Sequence, residues 1–539
     1  MQSKEDVTTN LVERLDWRFA RRDESRIARR LWKKQAVDAI YSLEEGAILD
    51  EFVHFLDEIG VVPRWQALQG DGIKREMVDF FQYVMLYGMK TLFGIEGMNA
   101  LPDLLLSDEA AMRLAGFNAV QIRDGICQRS HEKRQGDKPP GPLCPDTLAD
   151  NIVKLSLGAM EAFFNGVVQD LAKARVFAQQ VTGILDGTDL EATARYEGCG
   201  QATRKRKITD KRGKVREIEV TVYGWKLLVM IEVRTKLPLA AKVVPIQDHE
   251  ATLTRELVSQ ARANLAPHAR LRRVVFDRGF LDGAELWWLA QQNLGFVVPA
   301  KANMRVTADA QALAAAGTGV VARRVHTVAH GQGKHRWTER LETEVVGIAA
   351  LTTYDQYGPE EHAQHPYRKD FEGYPLNAVV VRKWNNRDDG PGGKVVFLTN
   401  DAVAKPLTIF DAYDDRSLIE NCCIKESKQA WNLKHPPKKT ERAVQVHVFF
   451  TLSMFALATA YRLRTEQAAV GDEPVGWQRW RRQLIQQNRD KVIIFAQGWY
   501  GIFHVAEYSL LLGVRLREPP PQVGSRRDVL KKYGLVGHT

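Results

Sequence analysis

The chain has 539 residues, 45% of them hydrophobic and 26% charged, with Gly and Pro near average frequency. That is an ordinary globular composition with ample material for a core, and it excludes a collagen-like or mainly disordered chain. Its 76 Lys and Arg against 66 Asp and Glu leave a net charge of +10, an excess that favours a polyanionic partner where it is locally concentrated.

From Trp32 to about Gln128 the apolar spacing is helical, as in Ile48-Leu49-x-x-Phe52-Val53-x-x-Leu56. Residues 130–145, rich in Pro, Gly and polar residues, read as a linker, and Pro145-Asp146-Thr147 opens another helical pattern running to about Gln180. Residues 1–175 are therefore expected to form a helical N-terminal region. At Val181 the texture changes to strand, in VTGILDGT, followed by a hairpin around Asp210–Gly213 and strands over 227–233 and 240–245. Residues 249–265 have helical spacing, 271–276 are a strand, 283–292 a helix and 295–298 a strand again. Four β segments (317–328, 336–349, 375–384, 394–398) make residues 286–400 β-rich, and helical spacing returns after Thr408. The expected class is thus α/β, with mixed sheet and helices over 176–285 and 401–465, and a C-terminal region at 466–539.

The basic excess is clustered. Residues 13–34 carry nine basic and four acidic residues; 204–216 carry eight basic residues, beginning Arg204, Lys205, Arg206 and Lys207, against Asp210 alone; 425–442 add six, among them Lys425 and Lys428, against two acids. Three such clusters suggest a surface that tracks phosphates, although any one alone is more often a solvated face. The five cysteines form no C-x-x-C pair, against a structural zinc or a disulfide framework. The apolar stretch from Val446 to Tyr461 falls short of the ~20 residues of a membrane span, and MQSKEDVTTN has no apolar signal core. The expected compartment is the cytoplasm.

Three acids stand where a sheet can deliver them together: Asp186 after GIL, Asp277 after RRVVF, and Glu420 in YDDRSLIENCC. A lone aspartate after a strand is more often a helix cap or turn former. Three carboxylates on one sheet edge would suit Mg²⁺, which takes oxygen ligands and keeps substrate phosphates among them. In a continuous helix Tyr413, Arg416 and Glu420, at i, i+3 and i+7, would share a face.

At these residues the chain resembles the DDE transposases of bacterial insertion sequences, in the cut-and-paste branch with a β-rich insertion and a Y-R-E-K signature. Asp186 in LDGTDLEAT and Asp277 in VFDRGFLDG match the two aspartate motifs; Tyr413, Arg416 and Glu420 match Y-x-x-R-x-x-x-E. The family's lysine falls where this chain has Ser427, with Lys428 one residue later and Lys425 nearer the Glu. The resemblance implies an RNase H-like core interrupted by the β-rich segment. It implies Asp186, Asp277 and Glu420 as catalytic residues holding two Mg²⁺ or Mn²⁺ ions, and double-stranded DNA, both transposon end and target, as partner. It further implies a dimer in the DNA complex. A nuclease or recombinase on the same core, or a DNA-binding protein without catalysis, are the alternatives.

Overall fold

The computed structural model describes residues 21–42, 46–73, 78–126, 142–209, 215–330, 336–358, 373–385, 393–416, 423–464 and 476–536. They fall into two compact units, one built from the two ends of the chain together with Gln429–Lys438, the other from Phe164–Lys428 and Lys439–Glu441.

The first unit is mainly helical, as its apolar periodicity dictates. All thirteen residues of the helix Phe80–Leu92 are buried, as is the helix Glu441–Arg464 from Ala443 to Arg462. The latter is apolar enough to cross a membrane, with a mean hydropathy of 1.6, but 94% of that stretch is buried inside the protein, which makes it a core helix. Aromatic side chains fill the space around it. Phe52 and Phe55 meet Tyr461 at 5.7 and 5.4 Å between ring centroids, Trp480 packs on Tyr461, and Trp477 packs on Trp480 and Trp431. The Trp-Arg run of the helix Trp477–Asn488 therefore buries Trp477 and Trp480 and leaves Arg482 exposed.

Both ends of the chain also supply a small sheet that the helical pattern of the N-terminal third does not suggest. Strands β1 (Arg21–Arg22) and β2 (Ala39–Ser42) flank the hairpin of β13 (Lys491–Ala496) and β14 (Trp499–His504), in the order β1-β14-β13-β2. Ile27, Ala28 and Leu31 of the helix Glu24–Trp32 pack there with Ile494, Phe503, Leu510, Val529 and Tyr533.

In the second unit β3 (Gln180–Ala192), β4 (Gly200–Thr209), β5 (Val215–Glu232), β6 (Pro238–Pro245), β7 (Arg270–Phe276) and β8 (Gly295–Pro299) form the core of one sheet. It continues through β9 (Val320–His330), β10 (Trp337–Ile348), β11 (Asn377–Asn385) and β12 (Lys394–Thr399), in the order β4-β5-β3-β7-β8-β12-β11-β10-β9 with β6 also on β5. Three expectations change. The segments at 215–222 and 227–233 are one strand. It serves β4 up to Gly224 and β6 from Trp225, and Gly224 sits at φ +139° where a Cβ would lie 2.1 Å from the Leu190 carbonyl oxygen. The β-rich segment contains a helix, Arg305–Ala315, whose Ala-rich repeats place Val306, Thr307 and Ala310 inward. Its strands are an insertion in sequence only: β12 pairs with β8 through Phe397↔Pro299, so they extend the core sheet.

A buried polar network in the first unit gives a pH prediction. His447 Nε2 lies 2.9 Å from the Asn432 carbonyl and Nδ1 lies 2.7 Å from the Tyr87 hydroxyl. A carbonyl only accepts, so Nε2 carries the proton and Nδ1 accepts from Tyr87. Burial, with Lys90 adding, holds His447 down at about 3. Because the folded value lies below the unfolded one near 6.5, this contribution to stability is complete above about pH 6.5 and is lost progressively as pH falls toward 3. Urea unfolding at pH 7 and pH 5 should show wild-type stability falling, with a shallower fall in His447→Gln; equal slopes would contradict the assignment.

Candidate active site

Strands β3 and β7 run parallel with Leu185 opposite Phe276. The next residue on each is Asp186 and Asp277, and adjacent strands lie about 4.8 Å apart. From β3 the chain first builds β5 and β6 on one side, then returns through the helix Thr254–Leu265 to place β7 on the other. The two aspartates therefore emerge where the parallel pairing of β3 with β7 ends and the winding reverses, the place where open α/β sheets bind ligands.

Asp186 does not end its strand, as the sequence suggests; β3 runs on to Ala192 against β5, and it is only the pairing with β7 that stops at Leu185. Its side chain is 9% exposed and Oδ1 accepts from the Gly187 amide. Asp277 stands before the short turn Arg278–Phe280 but makes no capping hydrogen bond with its side chain, which is 42% exposed. The common structural use of a strand-end aspartate is thus not its role here.

The cation between these acids is Arg416. Its Nη1 donates to Asp186 Oδ2 at 2.9 Å and lies 3.9 Å from Asp277 Oδ1. Tyr413, half-buried, packs its ring on Phe397 of β12 at 4.3 Å, and the Arg416 guanidinium lies 5.9 Å from the Tyr413 ring centroid. Burial pushes the Tyr413 hydroxyl up, and Arg416 partly opposes this. One expectation is corrected. The helix is Pro406–Asp414, with Asp415 as its C-cap, so Tyr413 and Arg416 belong to its last turn and the turn beyond, not to one continuous helix face. Glu420 lies outside the described residues.

Of the two lysines, Lys428 reaches the site strand. Its Nζ donates to the Thr188 hydroxyl and, at 3.3 Å, to the Asp189 carbonyl. Ser427, in the position of the family's lysine, is 1% exposed with no hydrogen-bond partner for its hydroxyl among the described residues, and Lys425 is exposed. The basic hairpin divides. Arg204 makes a bidentate pair with Asp189 and Arg206 one with Glu191, so these arginines balance the acids of β3. Lys205 stands 3.9 Å from Glu217, and Lys207 is exposed.

The sequence also hides one acid. Glu250 bonds Lys226 at 3.2 Å, and its two carboxylate oxygens would meet a Cβ added at Gly187 or Gly279 at 2.9 and 2.6 Å. It therefore fills the space beside the residues that follow each aspartate. Nearby, the Asp248 carbonyl accepts from Lys226, and His249 provides the cap of the following turn. No local pattern in IQDHEAT marks Glu250, since the contact depends on glycines 63 and 29 residues away. In the β-rich segment His330 stacks on Trp337 and bonds Glu339, a structural pairing.

Among the described residues no group of three or more His, Cys, Asp or Glu side chains is gathered closely enough to hold a metal ion. The donor set nonetheless fits a divalent ion. Asp186 and Asp277 are hard oxygen donors that already share one positive group, the Arg416 guanidinium, which stands in for a cation at their carboxylates.

A large mixed α/β sheet with flanking helices and two aspartates at its switch point is the architecture of an RNase H-like core. Residues 178–458 match the Transposase DDE domain, and the chain belongs to that family. No curated protein matches the sequence.

The geometry orders the effects of substitution. Arg416→Met strands the nearly buried Asp186 carboxylate and should cost roughly 1–3 kcal/mol in metal-free urea unfolding. Asp277→Asn removes a more exposed, longer contact and should cost less than about 1 kcal/mol. The reverse order would refute the pairing described.

Proposed function

We propose that this transposase works by cut-and-paste, with Asp186, Asp277 and Glu420 as the residues that hold two divalent ions, Mg²⁺ or Mn²⁺. The observation that carries the reading is the parallel register of β3 and β7, which brings two uncapped aspartates to one sheet edge under Arg416. When bound, such ions activate the attacking oxygen and stabilise the leaving one. Arg416, a planar fork with five donors, is suited to grip the phosphate that reacts, and Lys428 to hold an adjacent one. Tyr413 would then pack against the sugar or base at the cleaved end.

The reaction is a series of displacements at phosphorus. Water bonds to phosphorus at the transposon end and gives up a proton as the P–O3′ bond breaks, and the leaving 3′ oxygen takes up a proton to become a 3′-hydroxyl. That hydroxyl next attacks another phosphodiester and releases a different 3′-hydroxyl, so one ester replaces another. Attack on the opposite strand gives a hairpin end, which a second water would open to free the 3′-hydroxyl again, and attack on target DNA gives insertion; the family resemblance favours the hairpin route. The helical N-terminal region would bind end sequences, with two copies acting together in the DNA complex.

The test is cleavage of a supercoiled plasmid carrying the DNA that flanks the gene. Wild-type protein should cut at the element ends only with Mg²⁺ or Mn²⁺. Asp186→Asn, Asp277→Asn and Glu420→Gln should each lose on the order of 100-fold or more in rate while still binding the DNA. Metal-dependent cleavage retained by Glu420→Gln would overturn the assignment.

A further inference from the structure

The net charge of the chain has a location. Residues 21–42 and 489–536, which build the four-stranded sheet and its helices, carry fifteen Lys and Arg against seven Asp and Glu, a net of +8 out of +10 for the whole protein. The remaining 469 residues carry +2. If the excess served solubility it would be spread over the surface; concentrated on one small lobe it makes a local positive field.

Within the lobe the charges come from segments far apart in sequence that meet in space. On the helix Glu24–Trp32, Ile27, Ala28 and Leu31 face the core, so Arg26, Arg29 and Lys33, at i, i+3 and i+7, follow a single outer row. Arg26 lies over the Trp499 ring at 4.3 Å. At the far end of that helix the Arg526 guanidinium lies over Trp32 at 4.8 Å and also reaches Gly513, which leads into Arg515 and Arg517. The end of the first helix, the loop after the helix Val505–Leu511 and the start of Arg526–Lys532 are thereby joined into one basic face.

Two features separate this face from a merely solvated one. Arg29, Lys33, Lys34, Arg515 and Arg517 are exposed and make no ion pair among the described residues, unlike Arg204 and Arg206 in the hairpin. Favourable interaction with a helix C-terminus accounts for Arg29 and Lys33 at most, and for none of the loop residues. Like charges held together repel, and an anion laid across them removes that cost.

We propose that this lobe, assembled from both ends of the chain, is a docking surface for the phosphate backbone of duplex DNA. It rests on the DNA reading above and adds a surface separate from the sheet-edge acids. Its contacts are to phosphates, so it holds DNA without reading sequence, and the two tryptophan-backed arginines, Arg26 and Arg526, keep their guanidinium planes fixed for a phosphate.

The experiment is fluorescence anisotropy of the full-length protein with a labelled 30-base-pair duplex of arbitrary sequence at 50 to 300 mM NaCl. Compared are the wild type, the triple variant Arg29→Gln/Lys33→Gln/Lys34→Gln and the double variant Arg515→Gln/Arg517→Gln. Each lost phosphate contact should flatten the slope of log K against log salt by about 0.9, with affinity at 50 mM falling on the order of 10-fold in the triple variant. The double variant should flatten it independently. Circular dichroism melts of the two lobe variants should lie close to the wild type, because the replaced groups are exposed and make no ion pair among the described residues. If wild-type protein binds the duplex and both lobe variants keep its slope, the lobe proposal is overturned while the transposase reading stands. If wild-type protein binds no duplex at 50 mM, both fall.

Discussion

The pairing of β3 with β7 is the constraint on which the candidate site depends. Parallel strands cannot be joined by a tight turn, so the chain leaves β3, builds a hairpin and β6 on one side, crosses through a helix and returns on the other. That detour fixes the carboxyl ends of two neighbouring strands side by side. The register then decides the chemistry: with Leu185 opposite Phe276, Asp186 and Asp277 come next on each strand, and a shift of one residue would send one of them to the other face.

Two like charges at such spacing need a counter-charge. Arg416 supplies it from just past the helix Pro406–Asp414, whose inner residues Ile409 and Phe410 anchor that segment against the sheet. The unit also carries local devices that protect the arrangement. Gly187 and Gly279 leave room for Glu250 beside each aspartate, and Lys226, itself only 7% exposed, holds Glu250 in place. Arg204 and Arg206 balance the further acids of β3.

Much of this was legible in the sequence because it is local. Apolar runs that end in an aspartate marked Asp186 and Asp277, and the alternation of the hairpin marked β4 and the start of β5. What was not legible is non-local. The small sheet of β1, β2, β13 and β14 joins segments more than 450 residues apart, and two-residue β1 has no pattern of its own. The helix Arg305–Ala315 was missed because Ala-rich repeats give weak amphipathic contrast beside the β-branched runs that follow. The spacing of Tyr413 and Arg416 assumes an unbroken helix, whereas the helix stops at Asp414 and Arg416 lies in the turn beyond; Glu420 lies outside the described residues. Lys428, one residue off the family spacing, proves to be the lysine that reaches β3, with Ser427 turned into the interior instead.

The central claim is that Asp186 and Asp277 form one cation-binding centre. Iron-directed cleavage of the polypeptide tests it most directly: Fe²⁺ is substituted for Mg²⁺, ascorbate and peroxide generate hydroxyl radicals at the bound ion, and the fragments are mapped by mass spectrometry. The account predicts backbone cuts at both the 186 and the 277 segments in the same molecule population, suppressed together by excess Mg²⁺ and by Asp186→Asn. Cuts at only one of the two segments, or at both with no competition from Mg²⁺, would contradict it.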